Sequence, residues 1–175
     1  MYVYTVQTLA ERPHWDDADL PSILRDLLAE FSGVLGRARD EIRYARQIIC
    51  RPVFSMILQP PWYLGRTIVI GDAAHTTTPH LASGASIAIE DSIVLAMLLR
   101  SNRPLKTILG DFMSRRYERC RMIVQNSELL GEWEKHPSTP NQDTVGIIAT
   151  SYQALAKPPP DGSIQRPFCE SALTN

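Results

Sequence analysis

Hydrophobic positions follow two spacings along this chain, and each spacing predicts a different element. Apolar residues three and four apart run through Leu20–Phe31 and predict a helix, and a second, shorter helix is predicted over Leu35–Arg43. The β-rich stretch Tyr2–Val6 predicts a strand. Gln47–Leu58 predicts one member of a strand pair, with Pro52 at a bulge or an edge.

The middle of the chain has the clearest pattern. Thr67–Ile70 is an unbroken apolar and β-branched run, which is typical of a strand buried on both faces. A helix from about Gly84 to Arg100 follows, and because it is apolar nearly all round it is predicted to be interior. Leu105–Trp133 predicts one long helix, or two. Arginines of this segment are predicted to form one basic face: Arg115, Arg116, Arg119 and Arg121.

Composition narrows the class of protein. The chain has 175 residues, 44% of them hydrophobic, which is ordinary for a globular protein with a core of its own. Its net charge of −1 gives no electrostatic reason to expect nucleic acid or an anionic membrane as a partner. The longest apolar stretch, Ile87–Leu99, is short and interrupted by acids, so no membrane span is expected. Three cysteines without ligand spacing and a start unlike a secretion signal predict a cytoplasmic protein.

The candidate chemistry lies between the predicted central strand and the apolar helix. Asp72 directly follows that strand, where its carboxylate can accept hydrogen bonds from the hydroxyls of a polyol. A polar turn with Pro79 leads to Ser83 and Gly84, where the helix begins. Its free N–H groups and positive dipole end favour an electron-rich ring edge. This order predicts a site for a polyol joined to a ring that becomes negative.

These residues resemble a known motif. The run Gly-Asp-Ala-Ala-His at 71–75, then Pro79, Gly84, Glu90–Asp91 and Leu95, is similar to the second flavin motif of FAD-dependent aromatic hydroxylases. These are single-component flavoprotein monooxygenases of the para-hydroxybenzoate hydroxylase type. The resemblance extends over about two-thirds of the chain and implies FAD as cofactor, NAD(P)H as co-substrate and a small aromatic substrate.

The resemblance also implies roles for individual residues. Asp72, after Gly71, would bind the ribityl chain, and Pro79 would lie by the reactive edge of the ring. The backbone N–H groups around three residues would face the pyrimidine end of the ring: Gly84, Ala85 and Ser86. The family often has glycine where this chain has Ala82 and asparagine where it has Ser86. No residue is assigned a catalytic acid–base role, and none a metal.

One family feature is missing from this sequence. No two of its nine glycines have a single residue between them, so the Gly-x-Gly-x-x-Gly unit that holds the pyrophosphate is absent. The chain is therefore predicted to be α/β, the carboxyl-terminal part of a Rossmann-like FAD-binding domain plus part of a substrate-lobe sheet. The predicted regions are a partial sheet with helices (1–59), the FAD-domain part (60–135) and a partly disordered tail (136–175). The predicted partner is a second copy or a complementary amino-terminal half.

Two other hypotheses remain open at this stage. The chain is either a working part of a monooxygenase or an inactive flavoprotein fragment that acts as a binding or dimerising module. A metal-dependent hydrolase is a remote alternative, because the Gly-Asp-x-x-His spacing offers Asp72, His75 and His80 as ligands. Such sites need further Asn, Asp and His clusters, and only His14 and His136 remain.

Overall fold

The computed structural model describes residues 3–6 and 13–158, which divide between two compact units, residues 1–52 and 53–175. The predicted disorder of the last fifteen or so residues lies outside the described part of the chain. Among the described residues, no helix is long and apolar enough to cross a lipid bilayer.

The first unit is helical. Helix α1 spans Leu20–Leu27, with Pro21 in its first turn, where a missing N–H costs nothing. Helix α2 spans Gly33–Asp40 and is followed by a short 3-10 turn, Ala45–Gln47. Both predicted helices are thus present. The described residues Val3–Val6 form no strand, so that part of the predicted amino-terminal strand is wrong.

The segment in which the sequence predicts one member of a strand pair is largely irregular. Gln47–Leu58 contains no assigned strand, which corrects that prediction. Its end nevertheless behaves like a sheet edge, since the N–H groups of Met56 and Leu58 donate to the carbonyls of Thr76 and Ala74, both at 2.9 Å. Donors two residues apart are the pattern of an extended chain. The end of this β-rich segment is therefore extended and hydrogen-bonded without being part of an assigned sheet.

The sheet seen among the described residues is a small hairpin. Strand β1, Tyr63–Leu64, pairs antiparallel with β2, Thr67–Ile68, across a two-residue turn. Gly65 begins this turn at φ +60°, a backbone region that glycine adopts without strain. The residues Thr67–Ile70 are half-buried or exposed, so the predicted central strand buried on both faces is wrong within the described chain. The observed architecture is mainly helical with this two-stranded sheet.

Helix α4 spans Gly84–Leu99, in agreement with the prediction. One face is buried in the core through residues spaced by three and four: Ile87, Asp91, Val94 and Leu98. The opposite face carries Ile89, 61% exposed, and Ile93, 46% exposed. The expectation of burial on every side is therefore wrong for this face, which the described residues leave uncovered.

Helix α5 spans Leu105–Lys135 as one continuous helix and forms the centre of the unit. Its inward residues include Phe112, Cys120 and Ile123, all fully buried. Arg116 lies on the same inward face and is also fully buried, so the predicted basic face is wrong at this position.

A further helix, α6, spans Thr144–Ala156 inside the region that the sequence assigned to a tail. Asp143 begins it, because its side chain accepts the Gly146 N–H at 2.8 Å and so satisfies one of the free donors of the first turn. The helix packs against α5, where Ile147, Ile148 and Leu155 lie partly buried against the core. The tail region is thus ordered at least through α6.

Candidate functional site

The short helix α3, Asp72–His75, presents the candidate carboxylate at the surface. Gly71 precedes it at φ +60° and is buried against α4, where an added Cβ would lie 3.2 Å from the Ala88 Cβ. Asp72 itself is exposed, and its backbone carbonyl accepts from Thr76 Oγ1 at 2.5 Å. The turn therefore needs glycine at position 71 and directs the next side chain to solvent.

A buried carboxylate on α4 fixes the shape of this turn. Asp91 Oδ2 accepts the Gly71 N–H at 2.9 Å and lies 2.6 Å from His75 Nε2. Its other oxygen, Oδ1, accepts from Arg116 Nε at 2.6 Å. All of these side chains are inaccessible to solvent. One carboxylate thus binds both ends of α3 to α4 and α5.

Arg116 extends the network along α5. Its Nη2 donates to the Ile87 carbonyl at 3.0 Å, and its Nη1 lies 2.6 Å from Glu90 Oε2. Glu90 also accepts from Arg119 Nε at 2.9 Å. The two acids and two arginines balance one another, which is what burial of charge requires.

The electrostatics of the network keep its carboxylate charged. Burial alone would raise the pKa of Asp91, but hydrogen bonds from His75, Gly71 and Arg116, with the charge of Arg116, hold that pKa below its usual value. The pKa of Arg116 is raised despite its burial, because the carboxylates of Asp91 and Glu90 lie beside it. Burial raises the pKa of Cys120 to about 12, so its thiol is neutral at physiological pH.

The loop between α3 and α4 is tightly wound. It contains a 3-10 turn, Pro79–Leu81, and then Ala82 in the left-handed region at φ 47°, ψ 28°. The side chain of Ser83 donates to the Leu81 carbonyl at 2.7 Å instead of capping α4. Helix α4 therefore begins without a side-chain cap, and its first N–H groups have no such partner.

The structure places the predicted site residues on two neighbouring elements. Gly71 and Asp72 lie at the start of α3, where Gly71 packs against Ala88 of α4. The first turn of α4 holds Gly84, with Ala85 and Ser86 exposed. Pro79 is exposed on the connecting loop.

The metal-ligand hypothesis finds little support in this arrangement. His75 is bonded to Asp91, while His80 bonds Thr78 Oγ1 at 2.9 Å and lies 3.1 Å from Glu134 Oε2. Among the described residues, the group whose ligand atoms lie within 4.8 Å of one another is His75, Asp91 and Cys120, without Asp72 or His80. Arg116 already bonds that carboxylate, and its positive charge opposes a cation there.

Comparison with known proteins finds an FAD binding domain in this part of the chain. Residues 55–127 match the family model described as FAD binding domain. The chain is 32% identical over 139 residues to 2-heptyl-3-hydroxy-4(1H)-quinolone synthase of Pseudomonas aeruginosa, covering 77% of this chain and 36% of that protein. It is 37% identical over 121 residues to aurachin C monooxygenase/isomerase of Stigmatella aurantiaca, covering 66% and 32%.

A solved structure shares the fold. The crystal structure of a Klebsiella pneumoniae HpxO variant complexed with FAD matches with a TM-score of 0.60 and 20% identity, covering 89% of this chain and 42% of that one. The chain thus spans about a third of the length of the curated relatives named above. Residues 55–127, which include both α3 and the first turn of α4, match the FAD binding domain model, and the chain is similar to parts of a quinolone synthase and of a monooxygenase/isomerase.

Proposed function

We propose that this chain is the carboxyl-terminal part of a Rossmann-like FAD-dependent monooxygenase, and that residues 71–86 hold the ribityl chain and ring of FAD. The observation that carries this proposal is the placement of Asp72. It is an exposed carboxylate on a turn that Asp91 holds through the Gly71 N–H. The chain continues from this turn through Pro79 into α4, whose first N–H groups have no side-chain cap. The match to the FAD binding domain supports the same cofactor.

The residues present suit the two chemically different parts of this cofactor. A carboxylate accepts hydrogen bonds from ribityl hydroxyls, and Asp72 has its side chain in solvent. The N–H groups of Gly84, Ala85 and Ser86 and the positive end of α4 suit a ring edge that gains negative charge. FAD, when bound, would supply hydride acceptance from NAD(P)H and oxygen activation toward a small aromatic substrate. The chain's share is to bind and orient the ring.

The missing glycine-rich unit limits what this chain does alone. No Gly-x-Gly-x-x-Gly segment occurs in the sequence, so the pyrophosphate of FAD has no such cradle here. We propose a complementary amino-terminal half or a second copy of the chain as partner, and a cytoplasmic setting. A monooxygenase would form only with the glycine-rich part present.

A reconstituted enzyme tests the role of Asp72. The chain would be joined to the portion of the quinolone synthase that lies outside the 139-residue match, and FAD binding and NAD(P)H oxidation would be measured. Asp72→Ala is expected to weaken FAD binding by about 1–3 kcal/mol, the usual cost of losing a charged hydrogen-bonding partner. Asp17→Ala, at an exposed acid of the first unit, is the control. Unchanged FAD retention in Asp72→Ala would remove this residue from the site.

A further inference from the structure

The loop Thr78–Ser83 has an unusual shape that its own backbone does not favour. Ala82 occupies the left-handed region, which is unfavourable for a residue with a Cβ. The Ala82 N–H bonds the Pro79 carbonyl at 2.8 Å, within the loop itself. Something outside the loop is needed to keep this conformation dominant.

Ser127 on α5 holds the loop from one side. Its buried hydroxyl accepts the Leu81 N–H at 3.2 Å and donates to the Thr78 carbonyl at 2.8 Å. One side chain therefore closes the two ends of the 3-10 turn. A turn whose polar groups are buried is stable only with such partners.

The same stripe of α5 accommodates the rest of the turn. Gly131, one helical turn after Ser127, lies beneath the ring of His80, and an added Cβ there would come within 2.7 Å of the His80 Cε1. Glu134 follows and lies 3.1 Å from His80 Nε2. The spacing of these three α5 residues matches the path of the loop across the helix.

Tyr152 on α6 holds the loop from the other side. Its hydroxyl donates to the Leu81 carbonyl at 2.8 Å. Tyr152 itself lies outside residues 55–127, which match the FAD binding domain. Helix α6 is itself held on α5, because Asn126 Nδ2 donates to Ser151 Oγ at 2.9 Å and Arg119 donates to two carbonyls at the end of α6, each at 2.7 Å. The Tyr152 hydroxyl thus belongs to a helix that is itself bonded to α5.

We propose that Ser127 and Tyr152 are positioning residues that clamp the Thr78–Ser83 loop, and that α6, which lies outside the residues matching the FAD binding domain, serves this purpose as a brace. The inference rests on the proposed function in one respect: this loop carries Pro79 and leads into α4, so its shape sets where the flavin ring lies. Leu81 is the point at which both supports meet, one on its N–H and one on its carbonyl.

Hydrogen exchange of the full chain tests the clamp. Ser127→Ala and Tyr152→Phe are expected to speed exchange of the Leu81 and Ala82 amides about fivefold to tenfold, while amides in the centre of α5 keep their native rates. Tyr63→Phe is the matched control, since the described residues give its hydroxyl no hydrogen bond. Should Ser127→Ala fail to fold, Tyr152→Phe decides alone, because Tyr152 is 46% exposed and phenylalanine keeps its ring.

Riboflavin serves as the probe for the link to the flavin. Relative to the native chain, Ser127→Ala and Tyr152→Phe are expected to bind riboflavin about threefold to tenfold more weakly and to shift the visible absorption of the bound riboflavin. Tyr63→Phe is expected to leave the affinity and the absorption unchanged. Native exchange rates at Leu81 and Ala82 in both variants would overturn the clamp. Faster exchange with unaltered riboflavin binding would overturn its role for the flavin. A native chain that binds no riboflavin would contradict the proposed function, and exchange would still decide the clamp.

Discussion

Asp91 joins three helices through one buried carboxylate. It belongs to α4, bonds the Gly71 N–H and His75 at the two ends of α3, and pairs with Arg116 of α5. Its charge is compensated entirely by neighbours that the fold supplies, so its value to stability depends on their geometry. At the scale of residues, this carboxylate is what places Asp72 at the surface.

Asp91→Asn is expected to lower the free energy of unfolding at pH 7 by about 3 kcal/mol, because it leaves the buried Arg116 guanidinium without the negative charge of Asp91. The folded-state pKa of Asp91 is depressed, so its stabilising contribution is complete above the usual carboxyl pKa and is lost as pH falls through the folded value. Native stability should therefore fall more steeply below about pH 4 than that of the variant. Urea unfolding at pH 7, 5 and 3 measures this, and parallel pH profiles would contradict it.

Two backbone positions with positive φ should respond in opposite ways. Gly71→Ala is expected to destabilise the chain by about 1–3 kcal/mol, because φ is +60° and the new Cβ would lie 3.2 Å from the Ala88 Cβ. Ala82→Gly should be neutral or stabilising by up to about 1 kcal/mol, because it relieves the left-handed strain. Thermal unfolding of both variants gives the comparison. A clear loss of stability in Ala82→Gly would show that Ala82 is not strained.

The sequence could predict the candidate site but not the residues that support it. The glycine at 71 and the acid at 72 are visible as a motif, and the structure gives the glycine a positive φ that explains its presence. The cluster of four arginines predicts that Arg116 lies on a basic face, whereas the structure buries it. Its spacing of four from Phe112 and Cys120 was the available signal that it points inward.

At the scale of elements, helix α4 was predictable because its length and apolar spacing leave little choice. The position of Thr67–Ile70 in the sheet was not predictable, because an apolar run of this length suits either a central strand or one strand of a hairpin. Gly65, at positive φ, allows the tight turn of the hairpin. Helix α6 was missed between proline-rich flanks, although Asp143 followed by an apolar run is a helix start.

The uncovered face of α4 should cause association between copies of the chain. Ile89 and Ile93 lie a turn apart and are 61% and 46% exposed, and exposed apolar patches favour association. Sedimentation velocity is expected to show self-association of the native chain that is weakened in Ile89→Asp with Ile93→Asp. The control is Ile87→Ala, at a fully buried position, which should cost about 2–5 kcal/mol of stability without reducing association through this face. A native chain that stays monomeric would contradict this prediction.

At the scale of the molecule, we propose that the described second unit binds the ring and ribityl chain of a flavin without a glycine-rich cradle for the pyrophosphate. Its core of α4, α5 and the hairpin holds the α3 turn and the Thr78–Ser83 loop in place. The chain spans about a third of the relatives it resembles, so cofactor binding is proposed here as a shared task. If the chain contacts only the ring and the ribityl chain, it cannot discriminate among flavins that differ beyond the ribityl chain.

Fluorescence titration of the purified chain with riboflavin, FMN and FAD tests this account most directly. Because the contacts proposed here are to the ribityl chain and the ring, which all of these flavins share, we expect a nearly colourless protein that binds FAD no better than FMN or riboflavin. It should oxidise no NAD(P)H, and Asp72→Ala should weaken binding of each flavin to a similar degree. A yellow protein with a strong preference for FAD, or equal flavin binding by Asp72→Ala and the native chain, would contradict the account.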